Sequence, residues 1–233
     1  WHMNMERSDG SLFSIRAKAL VNAAGPWVAK FIRDDLKLDS PYGIRLIQGS
    51  HLIVPKLYEG ENAFILQNED QRIVFTIPYL ERFTIIGTTD REYQGDPSKV
   101  TITEDEIDYL LKVVNEHFKK QLSRSDIVRT YSGVRPLCND ESDNPSAVTR
   151  DYTLSLSGSA EEAPILSVFG GKLTTYRKLA ESAMTHLAPF FPHMKPSWTA
   201  TASLPGGEDM STPQALSDEL TKRFDWLPSD VAQ

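Results

Sequence analysis

A short apolar run, Pro164 to Phe169, stops at Gly170-Gly171-Lys172 and resumes as Leu173-Thr174-Thr175-Tyr176-Arg177-Lys178. The run reads as a strand feeding a helix that carries Tyr176, Leu179, Ala180, Ala183 and Leu187 on one face. Adjacent glycines have no Cβ, so a ligand can approach the backbone closely. The first helical turn beyond them offers unpaired N–H groups and the positive end of the helix dipole. Such a place favours a flat electron-rich or anionic group. A plain glycine-rich turn with an exposed lysine satisfies the same pattern.

A second unit of this kind lies near the start. Leu12 to Val21 reads as extended, and Asn22-Ala23-Ala24-Gly25-Pro26-Trp27 ends it with small residues. Pro26 suits a first helical turn, and Val28, Phe31, Ile32 and Leu36 give that helix an apolar face. Trp1-His2-Met3 reads as a junction foreign to the fold. From Ile44 to Asp90 closely spaced strands predict an antiparallel meander, with a bend or bulge at Gly49-Ser50-His51. Thr103 to Phe118 is the clearest helix: Thr103 and Glu106 make a capping box, and Ile107, Leu110, Leu111, Val114 and Phe118 make its apolar stripe. Ile127 to Val134 reads as a strand stopped by Arg135-Pro136. Val148 to Leu154 reads as another.

The 233 residues are 40% hydrophobic and 24% charged, ordinary proportions for a globular chain, with no apolar run long enough to span a bilayer. A net charge of -7 argues against nucleic acid, so any anion site must come from a local basic cluster. Cys138 is the one cysteine and cannot pair within the chain. No spacing of metal ligands is present, and no metal is expected. Arg135, Arg150 and Lys172 fall at strand ends or turns. Singly each reads as a surface charge; together they could hold a phosphate or carboxylate. His51 reads either as a satisfied interior histidine or as a general base for an alcohol proton.

Val21 to Trp27 resembles the second flavin-contacting segment of FAD-dependent oxidoreductases related to D-amino-acid oxidase. Ser132-Gly133-Val134-Arg135-Pro136-Leu137, Phe169 to Arg177, Ser40 to Arg45 and Ile86-Gly87-Thr88-Thr89-Asp90 resemble the bacterial aerobic, membrane-associated glycerol-3-phosphate dehydrogenases. The resemblance covers nearly the whole chain. It implies oxidation of sn-glycerol 3-phosphate to dihydroxyacetone phosphate by FAD. Electrons would pass to quinone at the cytoplasmic face of the inner membrane, where the parent enzyme would sit as a peripheral protein. It also implies site roles. Arg135 and Lys172 would hold substrate, with Arg135 at the reacting centre, and Arg150 would help hold the phosphate. Gly170, Gly171, Lys172, Leu173 and Thr174 would lie against the isoalloxazine, while Asn22, Ala23, Ala24 and Gly25 flank the cofactor. His51 is the candidate base.

The family's opening Gly-x-Gly-x-x-Gly turn is missing from these residues, so a piece of a larger enzyme, inactive by itself, is expected. The implied fold is α+β. A substrate-binding domain with a mixed, largely antiparallel sheet plus helices (44–130) joins part of a flavin-binding α/β domain (1–43 and 131–195). A linker and the start of a helical domain follow (196–233). An apolar docking face makes a homodimer possible. Two other readings remain open: an oxidase that uses oxygen, and a phosphate-ester-binding module without catalysis.

Overall fold

The structure is a computed structural model, and it describes residues 1–138, 151–158, 162–208, 212–226 and 228. Two compact units divide the chain, Trp1–Pro192 and His193–Gln233.

The first unit is built on one long strand, β4 (Ile44–Pro55). Its partners precede and follow it in the order β5 (Phe64–Gln67), β6 (Ile73–Tyr79), β7 (Phe83–Gly87), β4, β8 (Arg91–Glu92). β9 (Arg129–Cys138) runs antiparallel along the other edge of β4, from Ile44 opposite Cys138 to Ile53 opposite Arg129. The result is an antiparallel six-stranded sheet. Alternation along β4 sorts its side chains between two faces. Leu52 and Val54 join Leu66, Val74 and Ile86 under α2 (Glu104–His117), whose Leu110, Leu111, Val113 and Val114 complete the main core. The helix starts where the capping box places it: Thr103 Oγ1 accepts from the Glu106 N–H, and Glu106 accepts from the Thr103 N–H. The other face of β4 carries Ile47, Gly49, His51 and Ile53.

A second sheet has three strands: β10 (Tyr152–Ser157) antiparallel to β11 (Ile165–Gly170), and β11 parallel to β3 (Leu20–Asn22). The pairing of Val21 with Leu166 and Asn22 with Ser167 puts the carboxyl ends of β3 and β11 side by side. Both small-residue turns leave from there. One leads through a turn of 3-10 helix into α1 (Val28–Lys30), which buries Val28 and Ala29 against Phe169 and Cys138. The other leads into α3 (Tyr176–Leu187). The N-terminal residues form a hairpin, β1 (His2–Glu6) with β2 (Leu12–Arg16). In the second unit, α4 (Pro213–Arg223) is capped by the Thr212 hydroxyl, which accepts from the Ala215 N–H at 3.1 Å.

Four local expectations change. Trp1-His2-Met3 belongs to the fold: His2 and Met3 pair with Arg16 and Ile15 in the N-terminal hairpin, and the Trp1 indole N–H donates to the Pro164 carbonyl at 2.9 Å. Gly49-Ser50-His51 makes no bulge, since the β4–β9 register runs through it in step. Pro136 does not stop β9 but lies within it, opposite Leu46; among the described residues β9 pairs with β4 alone, and on such an edge a missing N–H is tolerated. β10 runs on to Ser157, beyond Leu154. The start of that predicted strand, at 148–150, lies outside the described residues.

Candidate active site

The β4–β9 register gathers the site. Residues opposite one another on antiparallel strands point to the same face. Ile47 faces Arg135, Gly49 faces Gly133 and His51 faces Tyr131, so a pair of glycines separates an arginine from a histidine. A Cβ at Gly133 would meet nothing within 4 Å, which leaves the floor there open. A Cβ at Gly49 would lie 2.6 Å from Thr88 Oγ1 and 2.7 Å from Arg135 Nη2, so those side chains fold over it. This close approach is what the glycine serves, rather than a bend.

Arg135 is held from the segment after β7. Its Nη1 donates to Asp90 Oδ1 at 2.6 Å and its Nη2 to Thr88 Oγ1 at 3.2 Å. The pair is partly buried, where a charge-assisted contact orients the guanidinium firmly. Across from it, Lys172 is exposed and has no ion-pair partner among the described residues. Arg135 and Lys172 line one cavity of about 420 Å³ with Val134, Pro136, Gly171 and Leu173. The structure thus brings these two of the three basic residues together. Arg150 lies outside the described residues.

His51 is half-buried. Its ring stacks on Tyr131, with centroids 4.6 Å apart and planes within 4°. Gly87 backs it on β7: a Cβ there would sit 2.3 Å from His51 Cδ2. His51 Nδ1 is buried without a hydrogen-bond partner, leaving Nε2 as the nitrogen able to exchange a proton. Burial pushes the imidazole pKa below its ordinary value, and the Arg135 charge pushes it the same way. His51 is therefore neutral at neutral pH and free to accept a proton.

The two turns meet the requirements of a flat cofactor. Ala23, Ala24, Leu173 and Thr174 are exposed, and Gly25 and Gly171 are half-buried. Gly170 and Gly171 adopt φ of 77° and 102°, a left-handed conformation that side chains resist. A Cβ at Gly170 would also lie 2.9 Å from the Asp151 carbonyl. Leu173, an apolar side chain, is 89% exposed. Asn22 points the other way: its amide donates to the Val28 carbonyl at 3.0 Å and its Oδ1 accepts from the Ala24 N–H at 3.4 Å. It shapes the turn from behind.

Residues 4–177 match the family described as FAD dependent oxidoreductase (DAO). The chain belongs to that family. Its glycerol-3-phosphate dehydrogenase relatives include one from Pseudomonas tolaasii, 85% identical over 92% of this chain and 42% of the relative. Another, from Pseudomonas aeruginosa PAO1, is 71% identical over 100% of this chain and 45% of the relative. The glycerol-3-phosphate dehydrogenase of Bacillus halodurans, solved in complex with FAD, superposes with a TM-score of 0.80 at 28% identity, over 98% of this chain and 44% of that one. The α+β architecture is thus that of an FAD-dependent oxidoreductase. The chain spans less than half the length of these relatives.

Sequence reasoning did not assign Thr88, Asp90 or Tyr131. All three act through β4 and β9, which pair across some eighty positions, as the Ser50–Ser132 contact shows with a separation of 82. The sole local signal was the polar run Thr88-Thr89-Asp90 closing an apolar strand.

Proposed function

We propose that this chain forms the substrate-binding face and part of the flavin-binding face of a dehydrogenase that oxidises sn-glycerol 3-phosphate to dihydroxyacetone phosphate. One observation carries the reading: Arg135 and Lys172 share a cavity at the glycine turn of β11, on the sheet face that also bears His51. Asp90 takes part of the Arg135 charge, so Lys172 supplies a cation with no ion-pair partner among the described residues, and the family resemblance gives Arg150 as a further basic residue. A carboxylate needs a single arginine; several cations fit a phosphate dianion.

Arg135 and Lys172 hold the anion and fix the polyol chain. His51 Nε2 accepts the proton of the C2 hydroxyl while the C2 hydrogen leaves as hydride, and the carbon becomes a carbonyl. The flavin supplies the hydride acceptor when bound. Ala23, Ala24, Gly25, Gly170 and Gly171 would leave room for its ring, Leu173 and Thr174 would lie against it, and Lys172 with the α3 dipole would favour negative charge at its edge. Asn22 contributes through the shape of its turn.

Delivery of the electrons to quinone, a peripheral position on the cytoplasmic face of the inner membrane and a homodimer complete the proposal. The family resemblance supports the first two. Among the described residues no helix is long and apolar enough to cross a membrane.

The test replaces the matched region of the Pseudomonas aeruginosa relative with this chain. The spliced protein is expected to hold flavin and to reduce a dye on addition of glycerol 3-phosphate. The 233-residue chain by itself is expected to do neither. Flavin that stays oxidised with glycerol 3-phosphate present overturns the reading. Release of peroxide in place of dye reduction would assign an oxidase.

A further inference from the structure

On the far side of the sheet from Arg135 lies a buried carboxylate, Glu106, 5% exposed. Five donors reach it. Oε1 accepts from Thr89 Oγ1 at 2.5 Å and Ser50 Oγ at 2.8 Å. Oε2 accepts from Gln48 Nε2 at 2.9 Å, from the Thr103 N–H at 2.9 Å and from Thr103 Oγ1 at 3.1 Å. A helix cap accounts for the two bonds from Thr103. The other three donors belong to β4 and to the segment after β7, and they do nothing to start a helix.

The position of Thr89 gives those bonds a use. Its neighbours Thr88 and Asp90 are the residues that grip Arg135. The hydroxyl of Thr89 reaches Glu106, while Thr88 and Asp90 on either side reach Arg135 on the site face. Thr89 Oγ1 also accepts from the Ser50 N–H at 2.9 Å, and the Thr89 N–H donates to the Ser50 carbonyl at 3.3 Å. The 88–90 segment is thus tied to β4 on the helix side, next to the point where it reaches over Gly49 to Arg135.

We propose that Glu106 is a positioning residue of the anion site: by anchoring Thr89 to β4 through the sheet, it sets Thr88 and Asp90 and so fixes the orientation in which Arg135 meets the substrate anion. This rests on the reading of the cavity as the glycerol 3-phosphate site. A carboxylate suits the task because every one of its five partners donates. An amide in its place would turn an N–H₂ group towards other donors, and the network would have to rearrange.

Three variants in the spliced enzyme test the proposal. Thr89→Val keeps the shape of the side chain and cuts the tether without touching the cap. Glu106→Gln weakens both. Thr103→Ala weakens the cap, including its one side-chain bond to Glu106, and leaves the three donors from β4 and Thr89 in place. Thr89→Val and Glu106→Gln are expected to raise KM and the calorimetric Kd for glycerol 3-phosphate about tenfold, with kcat much less affected. Thr103→Ala is expected to lower the melting temperature while leaving KM unchanged. A normal KM and Kd in folded Thr89→Val overturns the proposal alone. So does a rise in KM in Thr103→Ala equal to that in Thr89→Val, because helix stability would then explain both. If the unsubstituted spliced enzyme is not reduced by glycerol 3-phosphate, the functional reading falls and takes the proposal with it.

Discussion

His51 is confined by aromatic stacking on one side and by the bare backbone of Gly87 on the other. Gly87→Ala therefore has to displace the ring, and it is expected to abolish turnover in the spliced enzyme while the protein still folds. His51→Asn is expected to lower kcat by about 10²–10⁴, the usual contribution of a positioned base, with little change in KM. The pH dependence has a definite sign. The folded-state pKa of His51 lies below its ordinary 6.5, because burial and the Arg135 charge both disfavour the imidazolium. The acid limb of kcat/KM should therefore fall below pH 6.5, and a limb above that value would count against His51 as the base. The same shift makes the unfolded chain bind the extra proton more readily. His51 thus contributes stability above pH 6.5 that is lost on acidification through the folded pKa. Melting temperature followed from pH 8 to 5 should drop less steeply for His51→Asn. At this scale the sequence disclosed Arg135, Lys172 and the glycine turns, since each sits in a local pattern. Asp90 and Tyr131 stayed hidden because their roles come from partners distant in the chain.

Among the elements, α2 was the most legible, since a capping box and an apolar stripe are both local signals. Its consequences are ordinary and measurable. Thr103→Ala should cost about 1 kcal/mol, and Leu110→Ala, at a fully buried position, about 2–5 kcal/mol; denaturant titration reads both. The β4–β9 pair was the least legible. Gly49 looked like a bend and Pro136 like a stop, because glycine and proline usually punctuate strands. In this sheet the glycine makes room for a guanidinium, and the proline sits on an edge. The β3–β11 pairing had no local signal: two similar strand-to-helix units were visible, but it was the family resemblance that put them in one flavin-binding part, and the residue-by-residue register came from the structure.

Over the whole first unit, the sheet face that bears His51 is rich in exposed apolar side chains, among them Ile65, Phe75, Ile77 and Tyr131. Surfaces of this kind associate. The isolated chain is expected to sediment as a dimer or larger, and Ile65→Lys at the periphery to shift it towards monomer; a monomeric unsubstituted chain at micromolar concentration would refute this. The residue-by-residue interleaving of core and site along β4 also bears on how such a chain can change over generations. A substitution at a half-buried position of the site face, such as Ile53, leaves the packing under α2 alone, whereas Gly49 is held bare by Thr88 and Arg135 and His51 by its role as base. Insertion or deletion of one residue would exchange the two faces, burying His51 and exposing Leu52. Descendants of this scaffold can therefore drift by point changes at such positions, while the length of the strand is locked.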